Sequence, residues 1–171
     1  TTTGYSSVDF DQWPEFARTI LVVLMFIGAC AGSTGGGLKV SRVLILCKSV
    51  RQEFHYFLHP REVRSLRMEG RPLEQDTVRS VNVYLATYVL VFTLSILLVS
   101  LDNEDLVTTF TAVATTFNNV GPGLAAVGPL QNFSHFSDFA KLVMTFDMLA
   151  GRLELFPVLL RFFPRTWKRF S

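Results

Sequence analysis

The chain has 171 residues, 49% of them hydrophobic and 18% charged, with a mean hydropathy of +0.34. A typical soluble domain carries about 25% charged residues, and this composition, with only two cysteines, excludes a disordered chain, a collagen-like repeat and a disulfide scaffold. The net charge of +2 hides an uneven distribution: no Lys or Arg lies between Arg79 and Lys141, which points to a membrane.

Residues Thr1–Glu15 hold acids and no cations, and they lack the basic start of a secretory signal. A bilayer core about 30 Å thick needs roughly 20 apolar residues in a helix. Thr19–Leu38 is uncharged and supplies the first candidate span. Gly28-Ala29-Cys30-Ala31-Gly32-Ser33-Thr34-Gly35-Gly36-Gly37 interrupts it. Each Gly costs about 1 kcal/mol in a helix relative to Ala, so a continuous helix through this run is not expected. Beyond it, Val40, Val43, Leu44, Cys47, Val50, Phe54 and Leu58 recur at helical spacing, which predicts an amphipathic helix ended by Pro60. Ser80–Leu101 is the second uncharged span. Leu106–Leu124 is also uncharged but threaded with Thr, Asn and Gly, too polar to face lipid. A third span runs from about Phe139 to Phe163 and carries Lys141, Asp147, Arg152 and Glu154.

Lys39–Arg79 holds nine Lys or Arg and Arg161–Ser171 holds four, whereas Asp102–Asp138 holds none. The bias of cations toward the cytoplasm therefore puts both basic stretches inside and the acidic segments outside. The expected path starts outside, goes in, returns out, dips and re-emerges, then goes in again.

Two segments resemble each other. Asp9-Phe10 through Arg18 matches Asn132-Phe133 through Lys141, which sets Gly28 opposite Gly151. Upstream, Thr1-Thr2-Thr3-Gly4-Tyr5 matches Asn118-Asn119-Val120-Gly121-Pro122. Each unit is a turn centred on Gly, an acidic connector and an inward helix. The second unit also has an outward helix and a short helical run, Leu106–Phe117. One such turn reads equally well as a plain connection between helices; two in matching frames favour a repeat. The plan is that of a pore loop. Irregular backbone at membrane depth must line water or be buried in protein, and its carbonyls can replace the hydration shell of a cation.

Taken together, TTTGY, GACAGSTGGGLK, FNNVGPGL and MLAGRLELFP resemble the Trk/Ktr family of potassium transporters, and the long basic stretch is closer to the TrkH branch than to KtrB. The resemblance implies an all-α membrane protein of pore-loop repeats, potassium-channel-like, pseudo-fourfold in a longer protein of which this chain is a C-terminal fragment. It divides the chain into the end of a third repeat (1–58), a basic cytoplasmic loop (59–79), a fourth repeat (80–163) and a basic tail (164–171). It implies a potassium-binding filter of Thr2, Thr3, Gly4, Asn119, Val120 and Gly121, flanked by Thr1, Tyr5, Asn118 and Pro122. Gly28, Gly32, Gly35, Gly36 and Gly37 would form an intramembrane gating loop, with Arg152 facing the pore. Potassium would be the substrate and the only metal ion, with no cofactor in this chain. The implied partners are membrane lipid, a second copy in a homodimer, the N-terminal half of its own chain and a cytoplasmic TrkA-like nucleotide-binding ring. The implied location is the bacterial inner membrane, multi-pass, with the filter side periplasmic and Lys39–Arg79 and the C-terminus cytoplasmic. A sodium/potassium symporter of the same family is the nearest variant of this reading.

GSTGGGLK superficially resembles a phosphate-binding loop, but Leu38 follows Gly37 where Lys is required, and the run follows a helix, not a strand. Gly28 and Gly32 also fit small-residue helix packing, which leaves Gly35-Gly36-Gly37 unexplained. On a helix Arg152 lies about 140° from Asp147, while Glu154 lies about 20° from it, so Arg152 has no natural partner on its own helix. Arg152 either pairs with another helix or stands in the pore, where it can bond loop carbonyls. Cys30 and Cys47 suggest no metal site or disulfide, and His55 and His59 lack a third ligand. Asn132-Phe133-Ser134 is a weak glycosylation sequon. The basic stretch suits lipid or a protein partner better than nucleic acid. No Ser/His/Asp or Cys/His set supports an enzyme; a non-conducting scaffold or sensor is the alternative from another class.

Overall fold

The computed structural model describes residues 2–30, 35–59, 67–68, 71–73 and 75–152. Within them the chain forms helices α1 (Glu15–Phe26), α2 (Val40–Leu58), α3 (Gln75–Val99), α4 (Leu106–Phe117) and α5 (Asp138–Arg152). A two-residue antiparallel ladder, β1 (Arg67–Met68) and β2 (Arg71–Pro72), pairs Arg67 with Pro72 and Met68 with Arg71. Apart from that ladder the described architecture is helical, as the sequence predicts.

The short helix α4 is the centre. Thr108, Thr109 and every residue from Thr111 to Phe117 are buried. It is enclosed by α3, α5, α1 and the 3-10 turn Ala125–Val127. Asp105 starts it by accepting the Val107 N–H at 3.1 Å, which satisfies one of the orphan donors of a helix N-terminus. Its threonines answer the polarity problem that the sequence posed. Thr111 Oγ1 donates to Val107 O at 2.7 Å, and Thr115 and Thr116 donate to Ala112 O at 3.0 and 2.8 Å. Back-bonding of this kind lets hydroxyls sit inside a packed helix. The threonines also hold the returning chain: the Leu124 N–H donates to Thr111 Oγ1 at 3.2 Å and the Ala126 N–H to Thr108 Oγ1 at 3.4 Å.

α3 is the one described helix long and apolar enough to cross a membrane by length and composition, counted with its 3-10 extension through Asp102. At about 1.5 Å per residue its 25 residues reach about 37 Å, more than a bilayer core. Val81, Tyr84, Tyr88, Val91, Ser95 and Val99 form its buried stripe, at helical spacing. Val83, Leu90, Leu94 and Leu97 face outward. Lipid is as apolar as these side chains, so it is packing that joins α3 to α4 and α5. One cluster joins Val99, Val113, Val127, Phe136 and Met144; another joins Tyr84, Tyr88, Val91, Phe117 and Ala150. Phe92 bridges toward α1, with ring centroids 5.4 Å from Phe26 and 5.7 Å from Phe110.

The first expected span differs in its details. α1 starts at Glu15, ahead of Thr19, and stops at Phe26. Glu15 sits in the first turn, where a negative charge complements the helix dipole, and Arg18 lies 3.2 Å from it and 3.4 Å from Asp11. These local charges extend the helix beyond the uncharged window. Below it, the described residues 27–30 and 35–38 are not helical, as the glycine run requires. Ser137 donates from N and Oγ to Asp102 at 2.8 and 2.7 Å, tying the start of α5 to the end of α3.

Candidate functional site

The second glycine turn grows directly out of α4. Asn118 is its first residue, with φ −93° and ψ 0°, and Asn119 then takes φ +55°. The N–H groups of Asn118, Asn119 and Val120 donate back to Ala114 O, Thr116 O and Thr115 O at 3.1, 3.1 and 2.8 Å. The backbone donors of this turn are thus spent on the helix. The carbonyls of Asn119, Val120 and Gly121 are neutral oxygens of the kind that can replace the hydration shell of a cation. Gly121 has φ +112°, a conformation that a side chain would strain.

The first turn repeats this backbone pattern. Thr2 has φ +54° and Gly4 has φ +76°, while the intervening Thr3, like Val120, does not have a positive φ. Positive φ therefore falls at the first and third positions of Thr2-Thr3-Gly4 and of Asn119-Val120-Gly121 alike. The two turns also touch. A Cβ at Gly4 would stand 2.9 Å from Val120 O, and one at Gly121 would stand 3.4 Å from the Gly4 Cα. Tyr5 is 94% exposed, so it does not pack into the described body, and Pro122 is half-buried. Thr1 lies outside the described residues.

Beneath the second turn sits the glycine-rich run. Leu38 N donates to Phe26 O at 3.0 Å, Gly28 N to Leu38 O at 2.5 Å and Val40 N to Ala29 O at 3.3 Å. These bonds zip the two limbs of the loop together as a short parallel bridge between Ile27 and Leu38. They meet the demand that backbone at membrane depth be paired or wet. Lys39 Nζ donates to Gly35 O at 3.0 Å, a tie that sequence reasoning did not find. Gly28, Gly36 and Gly37 are buried and Gly35 half-buried. Gly36 rests on the second turn itself, since a Cβ there would overlap Asn118 O. Gly32 lies outside the described residues.

Arg152 ends the described part of α5 with an exposed side chain. Just before it, Gly151 brings the helix backbone against the end of α4, and a Cβ there would overlap Phe117 O. Asn119 Nδ2 adds a bond to Met148 O at 3.1 Å. Glu154 and the rest of the third expected span lie outside the described residues. Among the described residues no group of three His, Cys, Asp or Glu could hold a metal ion.

Three side chains went unnoticed in the sequence. Tyr88 Oη donates to Asn118 Oδ1 at 2.6 Å, at the start of the second turn. Ser95 Oγ donates to Asp147 Oδ1 at 2.6 Å, and Asp147 is fully buried. Asp11 Oδ1 accepts the Ala125 N–H at 3.1 Å, bridging the acidic connector of the first unit to the loop after the second turn. The available signal was that a polar group inside an apolar span needs a partner. It does not say which partner.

The TrkH family model, described as "Cation transport protein", matches residues 1–169. The Trk system potassium uptake protein TrkH of Escherichia coli K12 is 39% identical over 168 residues, covering 98% of this chain and 34% of that protein. TrkG of the same strain is 34% identical over 168 residues, with the same coverage. The crystal structure of the potassium transporter TrkH from Vibrio parahaemolyticus superposes with a TM-score of 0.88 at 40% identity, covering 98% of this chain and 35% of that one. The chain thus spans about a third of the length of the relatives it matches.

Proposed function

The chain belongs to the TrkH family of cation transport proteins, and we propose that it forms part of the wall of a potassium-selective, gated pore. Membership makes it part of a membrane protein; the pore function rests on the two glycine turns. The observation that carries it is the shared alternation of positive φ at Thr2 and Gly4 and at Asn119 and Gly121, in two turns that touch. Alternating φ aims successive carbonyls to one side, and neutral oxygens so placed can take over the hydration shell of potassium. Thr2, Thr3, Gly4, Asn119, Val120 and Gly121 are the filter in this reading, with Thr1, Tyr5, Asn118 and Pro122 around it. Two further turns from the rest of the full-length protein complete a pseudo-fourfold ring.

Gly28, Gly32, Gly35, Gly36 and Gly37 form the gate below, and Arg152 places a cation on the inner side of it. A passing potassium ion meets Asp9, Asp11, Asp102 and Glu104 at the outer mouth, neutral oxygens in the turns, and then the loop. Residues 1–58 and 80–163 are two pore-loop repeats joined by the cytoplasmic stretch 59–79, and 164–171 is a cytoplasmic tail. The filter side faces the periplasm across the bacterial inner membrane. The positive stretches facing the cytoplasm suit a nucleotide-binding regulator, and a homodimer completes the assembly. No cofactor in this chain enters the mechanism.

The test is growth of potassium-uptake-deficient cells at low potassium with the full-length gene, followed by potassium and sodium flux. Gly121→Ser puts a side chain at φ +112° and is expected to lower potassium-over-sodium preference roughly tenfold, for about 1–3 kcal/mol of strain. Preference retained in Gly121→Ser sinks the filter assignment. Failure of the wild-type gene to support growth favours the non-conducting scaffold.

A further inference from the structure

Asn118 is a neutral residue at the mouth of α4, and its side chain does not face the ion path. It is fully buried, and both ends of its amide are spoken for. Nδ2 donates to Ala114 O at 2.8 Å, and Oδ1 accepts from Tyr88 Oη at 2.6 Å. The hydroxyl fixes which way the amide points, because only the oxygen end can accept from it. On the opposite side Gly36 lies against the Asn118 backbone, and a Cβ at Gly37 would come within 3.1 Å of Oδ1. The residue that begins the filter turn is therefore held between α3 and the glycine-rich loop.

We propose that Tyr88 is a positioning residue for the filter, acting through Asn118 Oδ1 to set the backbone of Asn119-Val120-Gly121 and, with it, ion preference. The proposal rests on the pore reading above. Bonds between buried neutral groups hold direction well, because no water competes for them. The ring of Tyr88 is separately packed, with centroids 4.8 Å from Phe117 and 6.3 Å from Phe92. Ring packing and the hydroxyl bond can thus be separated by one substitution. Without the hydroxyl, Asn118 Oδ1 is left as a buried acceptor beside Gly37, and the amide is free to rotate. The turn then loses its brace where φ first becomes positive, at Asn119.

The experiment uses the full-length protein in membrane vesicles, with potassium, rubidium and sodium flux measured at matched protein levels. Tyr88→Phe keeps the ring and is expected to lower potassium-over-sodium preference roughly 3- to 10-fold, as the loss of one buried hydrogen bond allows. Asn118→Ala, which also loses the bond to Ala114 O, is expected to do at least as much, and the double variant no more than Asn118→Ala alone, since the Tyr88 bond is already gone in it. Lower total flux with the preference intact would mean that the bond serves assembly alone, which overturns the proposal. Additive losses in the double variant overturn the route through Asn118. Wild-type vesicles without potassium preference would instead overturn the pore reading, so the two failures are told apart.

Discussion

The two glycine turns are built alike, but the inward helices that follow them are not. Thr2-Thr3-Gly4 and Asn119-Val120-Gly121 share only glycine, yet both take positive φ at their first and third positions. Below them the units diverge. α1 stops at Phe26, and the chain enters the glycine-rich loop, whereas α5 is helical through Arg152. Gly28 and Gly151 are equivalent in the repeat frame, but they answer different demands. Gly28 lets the loop close on itself, since a Cβ there would stand 2.5 Å from Gly36 O and 2.7 Å from Leu38 O. Gly151 lets an intact helix touch the last carbonyl of α4. The repeat preserves the backbone of the two turns and uses the equivalent glycine differently in each unit.

That difference predicts unequal damage from the same change, and the largest effect is expected at Gly151. Both partners there are helix backbone that cannot yield without moving the second turn, which begins at the end of α4. Gly151→Ala is expected to cut potassium uptake by at least about tenfold, the scale of overpacking a close-packed interface. Gly28→Ala meets loop backbone that can shift, so it is expected to change how readily the pore opens while uptake persists. Uptake assays of both variants in the full-length protein check this. Near-normal uptake in Gly151→Ala with loss in Gly28→Ala inverts the comparison.

How much of this was legible in the sequence follows the range of the signal. The run Leu106–Phe117 and the amphipathic stretch Val40–Leu58 appear as α4 and α2 with those bounds, because periodicity and composition act locally. α3 begins at Gln75, not at Ser80, because helix continues through Asp76 and Arg79, which a hydropathy window leaves out. The turns were legible because a repeat brings its own internal control. The ties between elements were not. Tyr88 and Asn118 are 30 residues apart and Ser95 and Asp147 are 52 apart, and no pattern along the chain pairs them. Nor could spacing reveal that Gly36 rests on Asn118, since it depends on how the loop folds back. The ladder between β1 and β2 fell in a stretch read only for its charge.

Under the proposed pore reading, the two cations nearest the glycine-rich loop and the end of α5 predict a smaller, opposite effect. Lys39 already occupies one loop carbonyl, at Gly35, on the side of the first unit. Arg152 stands at the end of α5 on the side of the second. If both cations oppose passage, the second unit's is the one not committed to its own loop, and its removal is the more informative. Arg152→Ala is expected to raise potassium flux several-fold and to weaken regulation, since the side chain is exposed and one unit charge about 4 Å away in water costs an ion roughly 1 kcal/mol. Flux measured at equal protein level checks it, and unchanged flux removes Arg152 from the gate.

The smallest effect separates α1 from α5 at one further position. In the repeat frame Asp147 stands opposite Leu24. Leu24 is 54% exposed, while Asp147 is fully buried against Ser95. The polar residue thus appears where α5 packs on α3, and the apolar one where α1 turns outward. Asp147→Asn keeps an acceptor for the Ser95 hydroxyl and is expected to leave uptake within about twofold of wild type, as a retained hydrogen bond implies. Asp147→Leu, which copies the first unit, strands that hydroxyl among apolar side chains. The stranded donor costs roughly 1–3 kcal/mol, so less protein should assemble and its melting temperature should fall. Thermal unfolding of the two purified full-length variants compares them directly. Equal stability of the Asn and Leu forms would mean that the Ser95 bond is dispensable and that α5, like α1, needs only an apolar side chain there.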